Sequence, residues 1–435
     1  MTQTFDFIVV GAGMVGAAIA NGLASGGHTI ALIDQGQAPA FSDHDDPDIR
    51  VSALSAGSEN YLRSLGVWHD MMAMRATPYL RLSVWEARDH PISQWLPGQP
   101  PRTTFSAKDL KASHLGHIVE NRVTQTALWK RASGQDEITL FSGSGIQRLE
   151  EQSDSVTATL EDDTAVRGRL VIGADGAGSR VRQLAGIGVT RNQYQQQALV
   201  ASVRYRGAPQ DITWQAFHST GPRAFLPLHD AGPAHAGESW ASLVWYDAPQ
   251  TLAELKALPE ADFLARVQAA FPDELPPLTA LSARASFPIA RQHAHQYSRG
   301  RVVLAGDAAH TINPLAGQGV NLGFQDARCL QELLDEARRK GQDPAAPALL
   351  ARYEEQRRPA NRRMMLTMDM FYHLFSNSLT PVWAARNLGL GLAQGLPFAR
   401  NRVARYAMGL DEGLPAPVEA LLNRAPGPGR LTGQR

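Results

Sequence analysis

The chain has 435 residues, enough for two or three domain-sized units, and 43% of them are hydrophobic, which supports a large buried core. Lys and Arg number 42 and Asp and Glu number 42, so the formal net charge is zero and a broad nucleic-acid footprint is excluded. The single cysteine, Cys329, excludes an intrachain disulfide and fits a reducing cytoplasm.

No basic, apolar leader precedes the first strand, and no run of about 20 residues is apolar enough to span a bilayer. The chain is therefore expected to be cytoplasmic, either soluble or lying on a membrane surface. Residues 5–36 predict a strand, a tight turn, a helix and a second strand. The turn reads Gly11-Ala-Gly13-Met-Val-Gly16. Gly11 permits the tight turn, Gly13 lets the backbone approach a pyrophosphate, and Gly16 allows close helix–strand packing. The helix opens at Met14 and Val15, where free N–H groups and the positive dipole end face phosphates. Asp34 ends the second strand, where a carboxylate can accept hydrogen bonds from ribose hydroxyls. The pattern points to a dinucleotide without separating FAD from NAD, and a ligand-free glycine turn is the plainer reading.

Residues 41–48 form an acidic loop, and residues 52–74 predict a helix from the spacing of Leu54, Tyr61, Leu62 and Leu65. Residues 76–100 alternate polar and apolar, which suits strands and turns. A helix follows at 121–133, short strands at 139–182, and a strand-rich block at 198–247. Residues 251–271 read as helical, 300–305 as a short buried strand, and 319–340 and 346–370 as helices. Residues 411–435, rich in Pro, Gly and Arg, predict a flexible tail.

Two further motifs lie on this scaffold. Leu170-Val-Ile-Gly-Ala-Asp175-Gly-Ala-Gly178-Ser179-Arg-Val-Arg182 is a buried strand entering a turn and a helix start. Gly306-Asp307-Ala-Ala-His310-Thr-Ile-Asn-Pro314-Leu-Ala-Gly317-Gln-Gly319-Val320-Asn321 is the most specific run in the chain. Asp307 ends a strand where it can bond a ribityl hydroxyl. Pro314 stiffens the loop, and Gly317 and Gly319 let backbone N–H groups approach a flavin. The helix that follows offers donors to negative charge on a reduced ring.

These three motifs, in this order, resemble the class A flavoprotein hydroxylases. The resemblance implies an α/β fold like that of p-hydroxybenzoate hydroxylase: a Rossmann-like FAD-binding domain interleaved with a β-sheet substrate domain, plus C-terminal helices. It divides the chain into FAD-binding segments at 1–75, 106–185 and 291–360 and substrate-sheet segments at 76–105 and 186–290. A helical stretch at 361–410 follows. It implies FAD as cofactor, O2 as co-substrate, NAD(P)H as a transient reductant, and oxygen transfer through a flavin C4a-hydroperoxide. The motif beside Asp175 departs from a common form of the pattern, with Gly178 where Asn is frequent.

The resemblance also implies roles for residues outside the motifs. Arg50 matches an arginine near the FAD phosphates, although pairing with Asp46 or Asp48 would explain it equally simply. Gln125 matches a polar residue that approaches the FAD. Phe225, Leu226 and Pro227, with Trp245 and Tyr246, lie on strands that in this class face the flavin and form the substrate pocket. Two of those five would be ordinary core residues by chance. His310 either touches flavin or orients its loop. No metal cluster is expected. His293 and His295, two apart, read as part of a polar loop or strand pair.

Asp48-Ile-Arg-Val-Ser-Ala-Leu-Ser and His117-Ile-Val-Glu-Asn resemble the bacterial ubiquinone-biosynthesis hydroxylases. Gly221-Pro-Arg-Ala-Phe-Leu-Pro-Leu, Trp240-Ala-Ser-Leu-Val-Trp-Tyr-Asp and Asp369-Met-Phe-Tyr-His-Leu-Phe-Ser-Asn resemble, within them, the demethoxyubiquinol hydroxylases. This implies oxygen insertion into the ring of a polyprenylated quinol and a place in a quinone-biosynthesis assembly. Residues 364–410 are rich in Leu, Met and aromatics, with Arg386, Arg400, Arg402 and Arg405 against one acid, Asp369. That suits either a peripheral contact with the inner face of the cytoplasmic membrane or a helical bundle on the core. The alternatives are a sibling hydroxylase of another ring carbon or aromatic, an FAD-dependent reductase, and a flavoprotein scaffold.

Overall fold

The computed structural model describes residues 3–87, 102–314, 317, 319–375, 401, 402, 405 and 408. Its centre is a six-stranded sheet in the order Ser298–Arg299, Val302–Leu304, Leu170–Gly173, Phe7–Val10, Ile30–Asp34, Ile138–Ser142. All neighbours run parallel except the short first strand, which pairs antiparallel to Val302–Leu304. Phe7–Val10, Leu170–Gly173 and Val302–Leu304 are buried along their whole length. Both faces are covered, which is why these strands read as continuous apolar runs rather than alternating ones.

Helices Met14–Ser25, Asn121–Ser133 and Gly319–Arg339 pack together against this sheet. A four-stranded sheet, in the order Gln3–Thr4, Ala165–Gly168, Val156–Leu160, Ile146–Glu151, adds Val156, Ala158, Leu160 and Val166 to the same core. A three-stranded sheet joins Val51–Ser55, Gly116–Glu120 and Thr77–Tyr79. The helix expected over 52–74 is therefore a correction. It opens as strand Val51–Ser55, continues as helix Ala56–Ser64, turns at Gly66, and resumes as helix Trp68–Met74. Ser55 caps the first of these, its hydroxyl accepting from Ser58 N at 3.3 Å.

The largest sheet has eight strands, ordered His310–Thr311, Leu278–Ala294, Val189–Arg206, Glu238–Asp247, Gly221–Asp230, Ile212–His218, Arg81–Glu86, Arg102–Ser106. Strand Leu278–Ala294 is not legible in the sequence, where Ala, Ser and Pro288 interrupt any apolar alternation. Because side chains alternate across a strand, this sheet has two different faces. Trp85, Trp214, Phe225 and Trp245 pack outward against Phe263 and Phe271 of the helical segment 249–271. The opposite face turns Leu226, Val244 and Tyr246 towards the parallel-sheet half.

Helix Pro347–Phe375 is fastened across both halves by Asp326, a carboxylate with no solvent exposure. Asp326 accepts from Arg357 Nε at 2.7 Å, from Asn361 Nδ2 at 3.1 Å and from Gly306 N at 3.1 Å, and lies 2.5 Å from His310 Nε2. Burial alone would raise its pKa, but His310 and Arg357 outweigh that and hold it well below the usual carboxylate range. Farther along the helix, Arg291 and Tyr194 both contact Asp369. Replacing Arg357 with Ala leaves Asp326 without its guanidinium partner, and removing one partner of a buried pair costs about 3–5 kcal/mol. Urea unfolding of Arg357→Ala should show that loss, with an unchanged midpoint counting against it.

Candidate active site

All three motifs leave the parallel sheet at the carboxyl ends of adjacent strands. Gly11 follows Phe7–Val10, Asp175 follows Leu170–Gly173, and Gly306 follows Val302–Leu304. This edge is where ligands bind in open parallel sheets.

Gly11 has φ +98°, and a Cβ there would sit 2.5 Å from Ala174 O in the neighbouring motif. At Gly16 a Cβ would fall 1.8 Å from Gly11 O. Gly13 differs: nothing lies within 4 Å of its would-be Cβ. Helix Met14–Ser25 begins there with no side-chain cap and no acid in its first turn. Its positive end faces open space, as a pyrophosphate requires. The side chain of Val15 instead packs on Gly306, linking the first motif to the third. Asp34 accepts from Ala12 N at 2.5 Å and Gly36 N at 2.7 Å, which leaves lone pairs on both oxygens for a ribose. Ala12 O accepts from Gln125 Nε2 at 3.3 Å and from Trp129 Nε1 at 2.6 Å. Gln125 thus reaches the glycine turn. Trp129, one helical turn on, belongs to none of the sequence motifs.

Asp175 turns inward. It accepts from Ser179 Oγ at 2.5 Å and Val181 N at 3.0 Å, capping the short helix Arg180–Leu184. Arg182, buried, donates to Ala308 O at 2.8 Å and Ala177 O at 3.0 Å, and so staples the second motif to the third. Gln292 makes a parallel staple, donating to Ala177 O at 2.8 Å and Asp307 O at 3.0 Å. Gln292 had no signal in the sequence, since it lies on the strand that escaped recognition.

Asp307 is solvent-exposed, yet surrounding protein pushes its carboxyl up, opposed by His310 and Arg50. An accessible side chain in crowded surroundings lies in a groove. Arg50, also exposed, is close enough to act on it electrostatically. Pro314 is exposed on the same loop. Gly317 approaches Ala53 of strand Val51–Ser55, and Gly319 opens helix Gly319–Arg339 with nothing within 4 Å of its would-be Cβ. Two uncrowded glycines at two helix starts, with no acid in either first turn, fit an anionic dinucleotide. Val320 packs on the main core.

The structure selects one alternative for His310, and the placements of Asp175, Asn321, Phe225 and Pro227 are corrected. His310 is 1% exposed and directed at Asp326, with its ring stacked on Tyr297 at 6.0 Å. It orients the loop and does not reach the groove. The Asn321 side chain is saturated by protein: it accepts from Ser55 N and Ser58 Oγ and donates to Ala53 O and Gly317 O. It holds the loop rather than a ligand. Phe225 stacks on Trp214 at 5.5 Å in the outward core, and Pro227, two residues on, has the same strand parity. Leu226 and Tyr246 have the opposite parity and face the groove side. Tyr246 donates to Asn313 Oδ1 at 3.3 Å, burial pushes its phenol far up, and Asn313 Nδ2 has no acceptor among the described residues. His293, on strand Leu278–Ala294, bonds Tyr297, and His295, just past its end, bonds Thr190.

Comparison with known proteins agrees with this geometry. The FAD-binding domain family matches residues 4–367. The 3-demethoxyubiquinol 3-hydroxylase of Escherichia coli is 42% identical over 408 residues, covering 94% of this chain and 99% of that protein. Ubiquinone hydroxylase UbiL of Rhodospirillum rubrum is 35% identical over 404 residues, covering 93% and 89%. The p-nitrophenol 4-monooxygenase PnpA of Pseudomonas putida, a solved structure, superposes with TM-score 0.72 at 17% identity, covering 94% of this chain and 97% of that one, which shows a shared fold.

The glycines separate ligand contact from folding. Gly13→Ala adds a methyl that meets no protein atom, so FAD affinity should fall about tenfold, roughly 1.4 kcal/mol, with the apoprotein melting temperature unchanged. Gly16→Ala should lower that melting temperature. Flavin-fluorescence titration and thermal melts of both variants decide; equal affinity in Gly13→Ala would remove it from the phosphate cradle.

Proposed function

We propose that this chain, which belongs to the FAD-binding domain family and is an FAD-dependent monooxygenase, hydroxylates the ring of demethoxyubiquinol in ubiquinone biosynthesis. The observation that carries the substrate is the extent of the likeness to 3-demethoxyubiquinol 3-hydroxylase, which runs through both the groove and the sheet beside it. Bound FAD, reduced by NAD(P)H, supplies the activation of dioxygen. The chain's residues do the rest. The N–H groups at Gly13–Val15 and at Gly319 would hold the diphosphate and the ring edge, Asp307 would bond a ribityl hydroxyl, and Arg50 would lie near the phosphates.

Leu226, Val244 and Tyr246 present an apolar wall that excludes water, as a short-lived oxygenating species requires. Tyr246 stays protonated, and the free donor at Asn313 Nδ2 is available to a ring oxygen. Tyr246 continues into a cluster of Ala198, Ile289, Met364, Met365 and Met368, adaptable lining for a polyprenyl tail. A greasy substrate also favours a surface location. No helix among the described residues is long and apolar enough to cross a membrane, and we place the chain peripherally on the inner face of the cytoplasmic membrane. Arg402 and Arg405 are exposed; Arg386, Arg400 and most of the stretch they belong to lie outside the described residues.

In a bacterial host lacking its own demethoxyubiquinol hydroxylase, expression of this chain should restore ubiquinone, with one oxygen derived from isotope-labelled dioxygen. Asp307→Ala should abolish restoration together with the yellow colour. Persistent demethoxyubiquinone beside soluble, yellow protein would remove the substrate and leave another ring position or aromatic. A product without label would favour a reductase. Charge reversal at Arg402 and Arg405 should weaken co-sedimentation with anionic liposomes; equal sedimentation would count against the membrane contact.

A further inference from the structure

Glu59, His114 and His117 belong to none of the three motifs, yet they converge on one point. Glu59 lies on helix Ala56–Ser64, His117 on strand Gly116–Glu120, and His114 just before that strand. Glu59 Oε2 is 2.7 Å from His114 Nε2 and 3.1 Å from His117 Nδ1, and the three atoms lie within 4.8 Å of one another. Glu59 and His117 are buried and His114 is partly exposed.

Two details favour a cation over a plain hydrogen-bonded cluster. His117 Nδ1 is buried and, despite its distance from Glu59 Oε2, out of line for a hydrogen bond. A buried ring nitrogen 3.1 Å from a carboxylate oxygen but out of line with it gains charge attraction without a well-formed hydrogen bond, and a cation between them would satisfy both. The outer contacts are also those of a ligand set. His114 has its other nitrogen, Nδ1, 2.8 Å from Ser113 Oγ, which fixes the ring. Arg63 binds only the far oxygen of Glu59, with Nε at 3.0 Å and Nη2 at 2.6 Å from Oε1. Oε2 is left to the two histidines, and its 2.7 Å hydrogen bond with His114 Nε2 is the contact a cation would replace.

We propose that Glu59, His114 and His117 form a divalent-metal site of the kind zinc occupies, with two imidazoles, one carboxylate and a fourth position open to water. Zinc takes such ligands at about 2.0–2.2 Å in a tetrahedron, which separates them by about 3.3 Å. The Glu59 Oε2 spacings of 2.7 and 3.1 Å would open by about 0.6 and 0.2 Å to reach that separation. Two nitrogens and one oxygen suit zinc better than calcium or magnesium, which take oxygen ligands. The metal is a clamp. It ties helix Ala56–Ser64 to strand Gly116–Glu120, and that helix directly follows Ser55, whose N–H bonds Asn321 beside the flavin loop.

The test uses the FAD-loaded full chain, stripped with chelator and titrated with Zn2+ alone by calorimetry, with Co2+ absorption reporting the coordination. One Zn2+ per chain is expected, with a higher melting temperature and the bands of four-coordinate Co2+. His114→Ala and Glu59→Gln should each weaken uptake by about 100-fold or more, since even an outer-shell partner is worth about 10–100-fold. FAD content should be retained in both. His114 is only partly buried, so its variant folds even if His117→Ala does not. No uptake by the wild type, or equal uptake by folded His114→Ala and wild type, would overturn the proposal.

Discussion

Asp326 carries its charge where no water reaches it, and four groups from different parts of the chain must meet there to make that tolerable. Gly306 N–H comes from the turn after the third motif strand, His310 from the loop beyond, and Arg357 and Asn361 from the long C-terminal helix. None can shift without exposing a buried ion to an apolar interior, a cost far above the thermal energy. The turn is therefore rigid, and Asp307, next in sequence, is held out into the groove by a neighbour facing the other way. The same knot explains why His310, inside the most specific motif, serves the protein rather than the ligand.

From that fixed turn the remaining motif loops are built by mutual contact. Val15 packs on Gly306, Gly11 leaves no room against Ala174, and Arg182 and Gln292 bind carbonyls across the gap between the second and third motifs. The groove is thus lined by backbone from three segments far apart in sequence, with few side chains intruding. This is the surface a diphosphate and a flat ring need: N–H donors, helix starts and no competing acid. The eight-stranded sheet contributes a different surface. Its outward face is stiff with stacked tryptophan and phenylalanine, and its inward face carries Leu226, Val244 and the phenols of Tyr246 and Tyr194. Dryness beside the reacting ring follows from which strand parity faces in.

The boundary between what was legible and what was not follows the range of each interaction. Strand, turn and helix at 7–34 were legible because the glycine spacing and the wholly apolar strand are local requirements of the backbone. The Gly306–Asn321 run was legible for the same reason. Direction was not: His310, Asn321 and Asp175 sit in ligand-binding motifs but turn to protein partners, and no pattern in the motif distinguishes those from Asp307. Phe225 and Leu226 are adjacent and equally apolar, and only pairing of strand Gly221–Asp230 within the sheet decides that one faces outward. Trp129 and Gln292 matter because of carbonyls that folding brings to them.

The three turns and the strands that feed them were legible from backbone conformation and apolar periodicity within a few residues, and the likeness of those motifs to the class A flavoprotein hydroxylases carried the fold class and the flavin. Folding decided which side chains reach the groove, which staples hold the loops, and that Glu59 meets His117 of strand Gly116–Glu120 and His114 just before it. Those outcomes depend on contacts between distant segments. Such contacts are set by packing and by the need to satisfy buried charge, and neither leaves a local signature in the order of the residues.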